Sequence, residues 1–181
     1  MKNSAAAARS LKDARLLIVG WKTHCGEFLR EMLSTLGRPS FSRASSTDEA
    51  LILLQEQGFE LVLCTDKAAP LSAAAFTRAL RRDPYSRDPT IPVVIVAAGC
   101  SLAEIVTLRG AGADDIICPP MSADAIEKRL SRVLLRPRKF VACKTFIGPD
   151  RRRGGERSFE GGDRRSPGPG ISMPLPPVVR E

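Results

Sequence analysis

Between residues 15 and 118 five short apolar runs alternate with longer amphipathic stretches, and this alternation constrains the fold more than any other feature of the chain. Leu-Leu-Ile-Val lies between Arg15 and Gly20, and a weaker run follows from Ser40 to Ala44. Then come Leu61 to Cys64, Val-Val-Ile-Val between Pro92 and Ala97, and Asp115 to Cys118. The strongest of these runs are too uniformly apolar to show one face to water, which suits strands of a parallel sheet covered on both sides. The stretches between them have helical spacing. Cys25, Phe28, Leu29, Met32, Leu33 and Leu36 share one face before Gly37 stops the helix, Ser46-Thr47-Asp48-Glu49 reads as an N-cap cluster, Ser122 stands as an N-cap, and Asp83-Pro84 closes a helix over Ala73 to Arg82. The pattern predicts an α/β fold, a doubly wound five-stranded parallel sheet with helices on both faces. Function in such a sheet gathers at the carboxyl ends of the strands, near the reversal of strand order. Here those ends are Gly20-Trp21, Thr65-Asp66, Ala97-Ala98 and Pro119-Pro120.

A hydrophobic content of 43% supports a real core, while no apolar run approaches the roughly 20 residues that cross a bilayer. No membrane partner is therefore expected. The cysteines at 25, 64, 100, 118 and 143 show no paired spacing, which fits reduced thiols and a cytoplasmic chain better than a disulfide framework. A metal site built from Cys64, Cys100, Cys118 and His24 is the weaker reading, and no metal is assigned. Residues 1–13 read as a flexible leader, 14–136 as the folded domain and 137–181 as a basic tail rich in Gly, Pro and Arg. The net charge of +8 sits mostly in that tail: residues 1–135 hold 17 basic and 15 acidic side chains, residues 136–181 hold 11 and 5. Its polarity predicts that it does not fold alone and that residues 148–181 are unstructured. It also repeats itself. Phe146-Ile-Gly-Pro-Asp150-Arg151-Arg152 is followed, 13 residues on, by Phe159-Glu-Gly-Gly-Asp163-Arg164-Arg165.

Ala111-Gly-Ala-Asp-Asp-Ile-Ile117 before the fifth run is the most specific stretch of a wider resemblance. Glu49-Ala-Leu51, Glu60-Leu-Val-Leu63 and Ile91-Pro-Val-Val-Ile95 support it at matching spacing. Residues 14–136 resemble the receiver domain of bacterial two-component response regulators, a flavodoxin-like fold. The resemblance implies a self-phosphorylating pocket: two acids after strand one hold Mg²⁺, and an aspartate ending strand three attacks the phosphoryl group. A Ser or Thr after strand four and a Lys after strand five grip its oxygens. It also implies a cis bond before Pro120.

Carried onto this sequence, that machinery is missing. The acidic pair falls on Gly20 and Trp21, the hydroxyl on Ala97 and the lysine on Pro119, which has neither charge nor N–H. Two registers compete for the acceptor. Counting without gaps from Trp21, from Glu60 to Leu63 and back from the third helix gives Thr65, whereas Pro70, placed four residues after the acceptor, points to Asp66. Either way no cation or donor is left to neutralise a phosphoryl group in flight, so no catalytic residue, no Mg²⁺ and no other cofactor is expected. Trp21 reads equally as an interface anchor or as a plug for the vacated pocket. Asp114 and Asp115 read as structural.

The favoured function is thus a pseudo-receiver: a non-enzymatic signalling adaptor that binds a protein partner in a phosphorelay. Phe146, Asp150, Arg151, Arg152 and their counterparts Phe159, Asp163, Arg164 and Arg165 are the candidate docking motif, since an aromatic anchor flanked by arginines suits a segment that orders on a partner. A phosphoacceptor working through Asp66 is the second reading. A nucleic-acid arm built on the basic tail is the third.

Overall fold

The computed structural model describes residues 10–36, 41–143 and 145–150. The alternation is realised as β1 (Leu16–Val19), α1 (His24–Thr35), β2 (Phe41–Ala44), α2 (Thr47–Glu56), β3 (Leu61–Thr65), α3 (Ala73–Arg82), β4 (Val93–Val96), α4 (Leu102–Gly110), β5 (Asp115–Ile117) and α5 (Ala123–Leu135). The strands form one parallel sheet in the order β2-β1-β3-β4-β5, the flavodoxin-like order. Order reverses between β1 and β3, so the loops after these two strands lie side by side. Val19 pairs with Cys64 and Thr65 with Val96, which sets Thr65 one residue past the β1 register and beside Gly20.

Both faces of the sheet are dry. Leu17, Val19, Val62, Cys64, Val93 and Ile95 pack with Ala50, Leu54, Phe76, Leu80 and Leu108 of α2, α3 and α4. Leu16, Ile18, Leu61, Leu63, Val94 and Val96 pack with Leu29, Leu33, Ile126 and Leu130 of α1 and α5. Each buried aliphatic side chain of this kind is worth about 1.5–3 kcal/mol, so the period-two split of the strands across two helical layers carries most of the fold's stability. Local signals fix the helix starts. Thr23, Ser46, Ser72, Ser101 and Ser122 all adopt extended backbone, and each side chain accepts the amide three residues on. At Ser101 the Glu104 carboxylate returns the bond, completing a capping box.

The folded body continues past 136. β6 (Phe140–Ala142) and β7 (Ile147–Pro149) form an antiparallel hairpin, with Phe140 opposite Pro149, in the compact unit that ends at Asp150. The first part of the basic tail is therefore structured. The hairpin packs against the body: a Cβ on Gly148 would sit 2.7 Å from the Cα of Gly112, and the Arg81 guanidinium lies 5.1 Å from the Phe140 ring centre. Residues 151–181, which include most of the expected unstructured segment, lie outside the described residues. Among the described residues no helix is long and apolar enough to cross a membrane.

Candidate functional site

Glycine at position 20 is demanded twice over. Its φ of +75° is one that L side chains rarely adopt, and a Cβ there would strike the Thr65 hydroxyl and come within 3.2 Å of Ala68. The turn it makes is tied down from all sides. Gly20 N–H donates to Ala44 O (2.9 Å), and its carbonyl accepts the Thr23 amide (3.0 Å), the Thr23 hydroxyl (2.7 Å) and, more weakly, the Thr65 hydroxyl (3.4 Å). Thr65 ends β3 and is fully buried. Asp66 is the first residue beyond the strand, held by its amide on Val96 O (2.9 Å).

The surroundings of Asp66 are thiols and small residues. Its Oδ1 is buried without a hydrogen-bond partner. The Cys25 thiol faces the carboxylate from the first turn of α1, and burial, then the Asp66 charge, push its pKa up; the buried Cys64 thiol is raised for the same two reasons. Cys100 is raised to about 11, by burial first and then by the neighbouring Cys118 thiol. These are poorly ionised thiols, not nucleophiles. Ala97 is buried with its amide on Ile117 O (3.0 Å), and Pro119 is half-buried and joined to Pro120 by the expected cis bond; Ala69-Pro70 is cis as well.

Trp21 is half-buried against the α1/α5 side of the core, with Arg43 of β2 at 5.4 Å and Lys22 at 5.7 Å from its ring centre. Its backbone passes so close to α1 that a Cβ on Gly26 would lie 2.5 Å from it. The sequence-predicted residues Gly20, Thr65 and Asp66 are thus brought together, Trp21 turns toward the β2 edge, and Ala97 and Pro119 add no polar side chain. The described residues contain no group of three His, Cys, Asp or Glu side chains placed to share a metal ion, and His24 is exposed.

Asp114 and Asp115 are spent on structure. Asp115 pairs with Arg129 (2.6 Å) and Arg132 (3.4 Å). Asp114 accepts the Val93 amide (2.8 Å) and pairs with Arg81 (2.9 Å), a side chain sequence reasoning missed. Arg81 is 3% exposed and also donates to Gly112 O (3.1 and 3.3 Å), Pro89 O (2.8 Å) and Ile91 O (2.6 Å). In sequence it looks like an ordinary cation in the last turn of a helix. Nothing local reveals that it ties four separate places together. Of the tail motif, Phe146 and Asp150 are half-buried parts of the folded body, whereas Arg151, Arg152, Phe159, Asp163, Arg164 and Arg165 lie outside the described residues.

No protein-family model matches the chain. It is 30% identical over 112 residues to the transcriptional regulatory protein ZraR of Escherichia coli K12, covering 62% of this chain and 24% of that protein. Its identity to ZraR of Salmonella typhimurium is 28% over 117 residues, covering 65% and 25%. The chain thus spans about a quarter of the length of these relatives. Among solved structures, the signal receiver domain of a signal transduction histidine kinase from Syntrophus aciditrophicus superposes with a TM-score of 0.57 at 22% identity, covering 72% of this chain and 98% of that one.

Proposed function

The sheet-and-helix body has the fold of response-regulator receiver domains, and its sequence likeness to ZraR falls in the same direction. From that premise we propose that this chain is a degenerate receiver that acts as a protein-binding adaptor in two-component signalling, with no Mg²⁺-dependent phosphorylation. The observation that carries this reading is the contact between Gly20 and Thr65. Where a receiver needs a carboxylate for its metal, the backbone holds a left-handed glycine whose side-chain space is already filled by the residue ending β3. Mg²⁺ takes oxygen ligands, usually carboxylates plus waters, and Asp66 is the one carboxylate among the pocket positions 20, 21, 65, 66, 97 and 119. These residues do not fit the ion, and no step is routed through it.

An adaptor needs a surface. Helix α4 supplies one, since Leu102 is 77% and Val106 60% exposed, one turn apart on the same face. A cytoplasmic protein partner in a signalling pathway is the matching occupant. The buried, unpartnered Oδ1 of Asp66 favours one rival, an acceptor aspartate in an altered pocket. Incubation of the full chain with acetyl phosphate and Mg²⁺, followed by intact-mass measurement, separates the two. The mass should stay unchanged. A gain of one phosphoryl group that disappears in Asp66→Asn would overturn the adaptor reading and install the rival.

A further inference from the structure

The end of the sheet opposite the pocket holds a recognition arrangement that the receiver fold does not need. Helix α3 ends beside the turn at Gly112, and a small cavity there is walled by Arg78, Arg81, Arg82 and Ala111 together with Phe146 and Ile147. The fit depends on two glycines. Gly112 has φ +101°, and a Cβ there would lie 2.6 Å from Ile147 O. A Cβ on Gly148 would lie 2.7 Å from Gly112 Cα and 2.8 Å from the Phe146 ring. The close approach to Gly112 thus demands a glycine two residues after Phe146, which walls the same cavity. Asp150 follows, its amide donating to Lys139 O (2.7 Å).

We propose that this site is a receptor for Phe-x-Gly-x-Asp segments, and that its second ligand is Phe159–Asp163 supplied by another molecule of this chain. The repeat keeps the glycine that the geometry demands, Gly161 for Gly148, and matches its neighbours too, Phe159 for Phe146 and Asp163 for Asp150, each copy followed by two arginines. Where it differs, it gains. Glu160 stands in the place of Ile147, which shares the cavity wall with Arg78 and Arg82, so the second copy brings a carboxylate to a basic wall. The connector 151–158, Arg-Arg-Arg-Gly-Gly-Glu-Arg-Ser, reaches roughly 26–29 Å when extended, enough to carry the second copy to a neighbouring molecule. The resident copy buries Gly148 and Pro149, but the strand it pairs with is largely exposed. Each strand of its hairpin has three residues, Val141, Ala142 and Cys143 are exposed, and two-stranded ribbons are marginal in water. Exchange of one copy for the other between molecules is the low-cost association that repeated elements permit. The inference is independent of whether the pocket at the other end accepts phosphate.

The test uses the full chain, a Gly148→Val variant that cannot seat its own first copy, and a labelled peptide of residues 157–167. Gly148→Val should lose amide-exchange protection over residues 110–114 and bind the peptide at least 10-fold tighter than the unaltered chain does, regaining the protection. A peptide carrying Gly161→Val should not bind. Phe146→Ala, which removes the aromatic of the first copy without inserting bulk, gives the same readout should Gly148→Val fail to fold. The unaltered chain should also self-associate with rising concentration in sedimentation, and Gly161→Val should abolish this. Failure of the peptide to bind a folded, vacated site, or equal binding by the Gly161→Val peptide, overturns the receptor. A chain that stays monomeric at every concentration while the peptide binds overturns the exchange between molecules.

Discussion

The two ends of the parallel sheet treat buried polar groups in opposite ways. At the carboxyl end, Asp66 keeps a buried Oδ1 without a partner, its neighbours are thiols whose pKa values are raised, and Gly20, Ala97 and Pro119 offer no polar side chain. At the amino end, Arg81 is buried with acceptors at Gly112, Pro89, Ile91 and Asp114 and an aromatic ring over its guanidinium. A half-satisfied polar group costs free energy, whereas a fully connected one fixes geometry. The fold's polar specificity therefore lies away from the place where receivers do their chemistry. The receiver-like shape is present there, while positions 20, 97 and 119 carry no polar side chain.

Breaking the amino end should have the largest effect. Arg81→Met leaves Asp114 as an unpaired buried carboxylate and strands three backbone carbonyls, so stability measured by denaturant titration should fall by about 3–5 kcal/mol. Arg81→Lys should recover only a minor part, because a single ammonium cannot reproduce the planar fork that meets Gly112 O through two nitrogens. A loss under about 1 kcal/mol for Arg81→Met would show that this end is not the better-built one.

Gly20 sharpens the comparison at the other end. Gly20→Ala forces a side chain into a left-handed turn and against Thr65, at a cost of about 1–3 kcal/mol. The double variant with Thr65→Ala should recover the steric part and leave the dihedral part. The two substitutions should therefore couple in a double-mutant cycle. Strict additivity would mean that Thr65 does not fill the space over Gly20.

The smallest effect concerns the rim of the site. The Ser101 hydroxyl, then the Ser101 amide, hold the Glu104 carboxyl below its ordinary pKa, and Ser45 does the same for Glu49. A folded pKa below the unfolded one stabilises above the unfolded value and is lost as pH falls through the folded value. The stability advantage of the unaltered chain over Glu104→Gln should accordingly be full near neutrality and vanish in acid, well below about pH 4. A difference that does not change with pH would remove the capping box from the account.

Reading the sequence went furthest where physics is local. The run Leu16 to Val19, the Ser122 cap and the spacing of Leu29 and Leu33 each depend on neighbours within a turn or a strand pair, and each is where it was expected; the cap in the cluster from Ser46 to Glu49 is Ser46. That positions 20, 21, 97 and 119 carry no acid, hydroxyl or lysine is read directly from the sequence, because the absence of a functional group needs no tertiary information. Thr65 and Asp66 could not be separated by counting, since one register follows the strand and the other follows Pro70.

The sequence by itself determined the order of the five strand–helix units, the two-sided burial of the sheet and the absence of carboxylates at 20 and 21, because periodicity and residue chemistry act over a few positions. Only the tertiary structure decided that Arg81 joins places 8, 10, 31 and 33 residues away, that Gly20 is closed by Thr65, and that the first repeat lies against Gly112. Those choices depend on which distant backbone carbonyls and glycines come within bonding distance once the sheet is assembled, and no local pattern carries that distance.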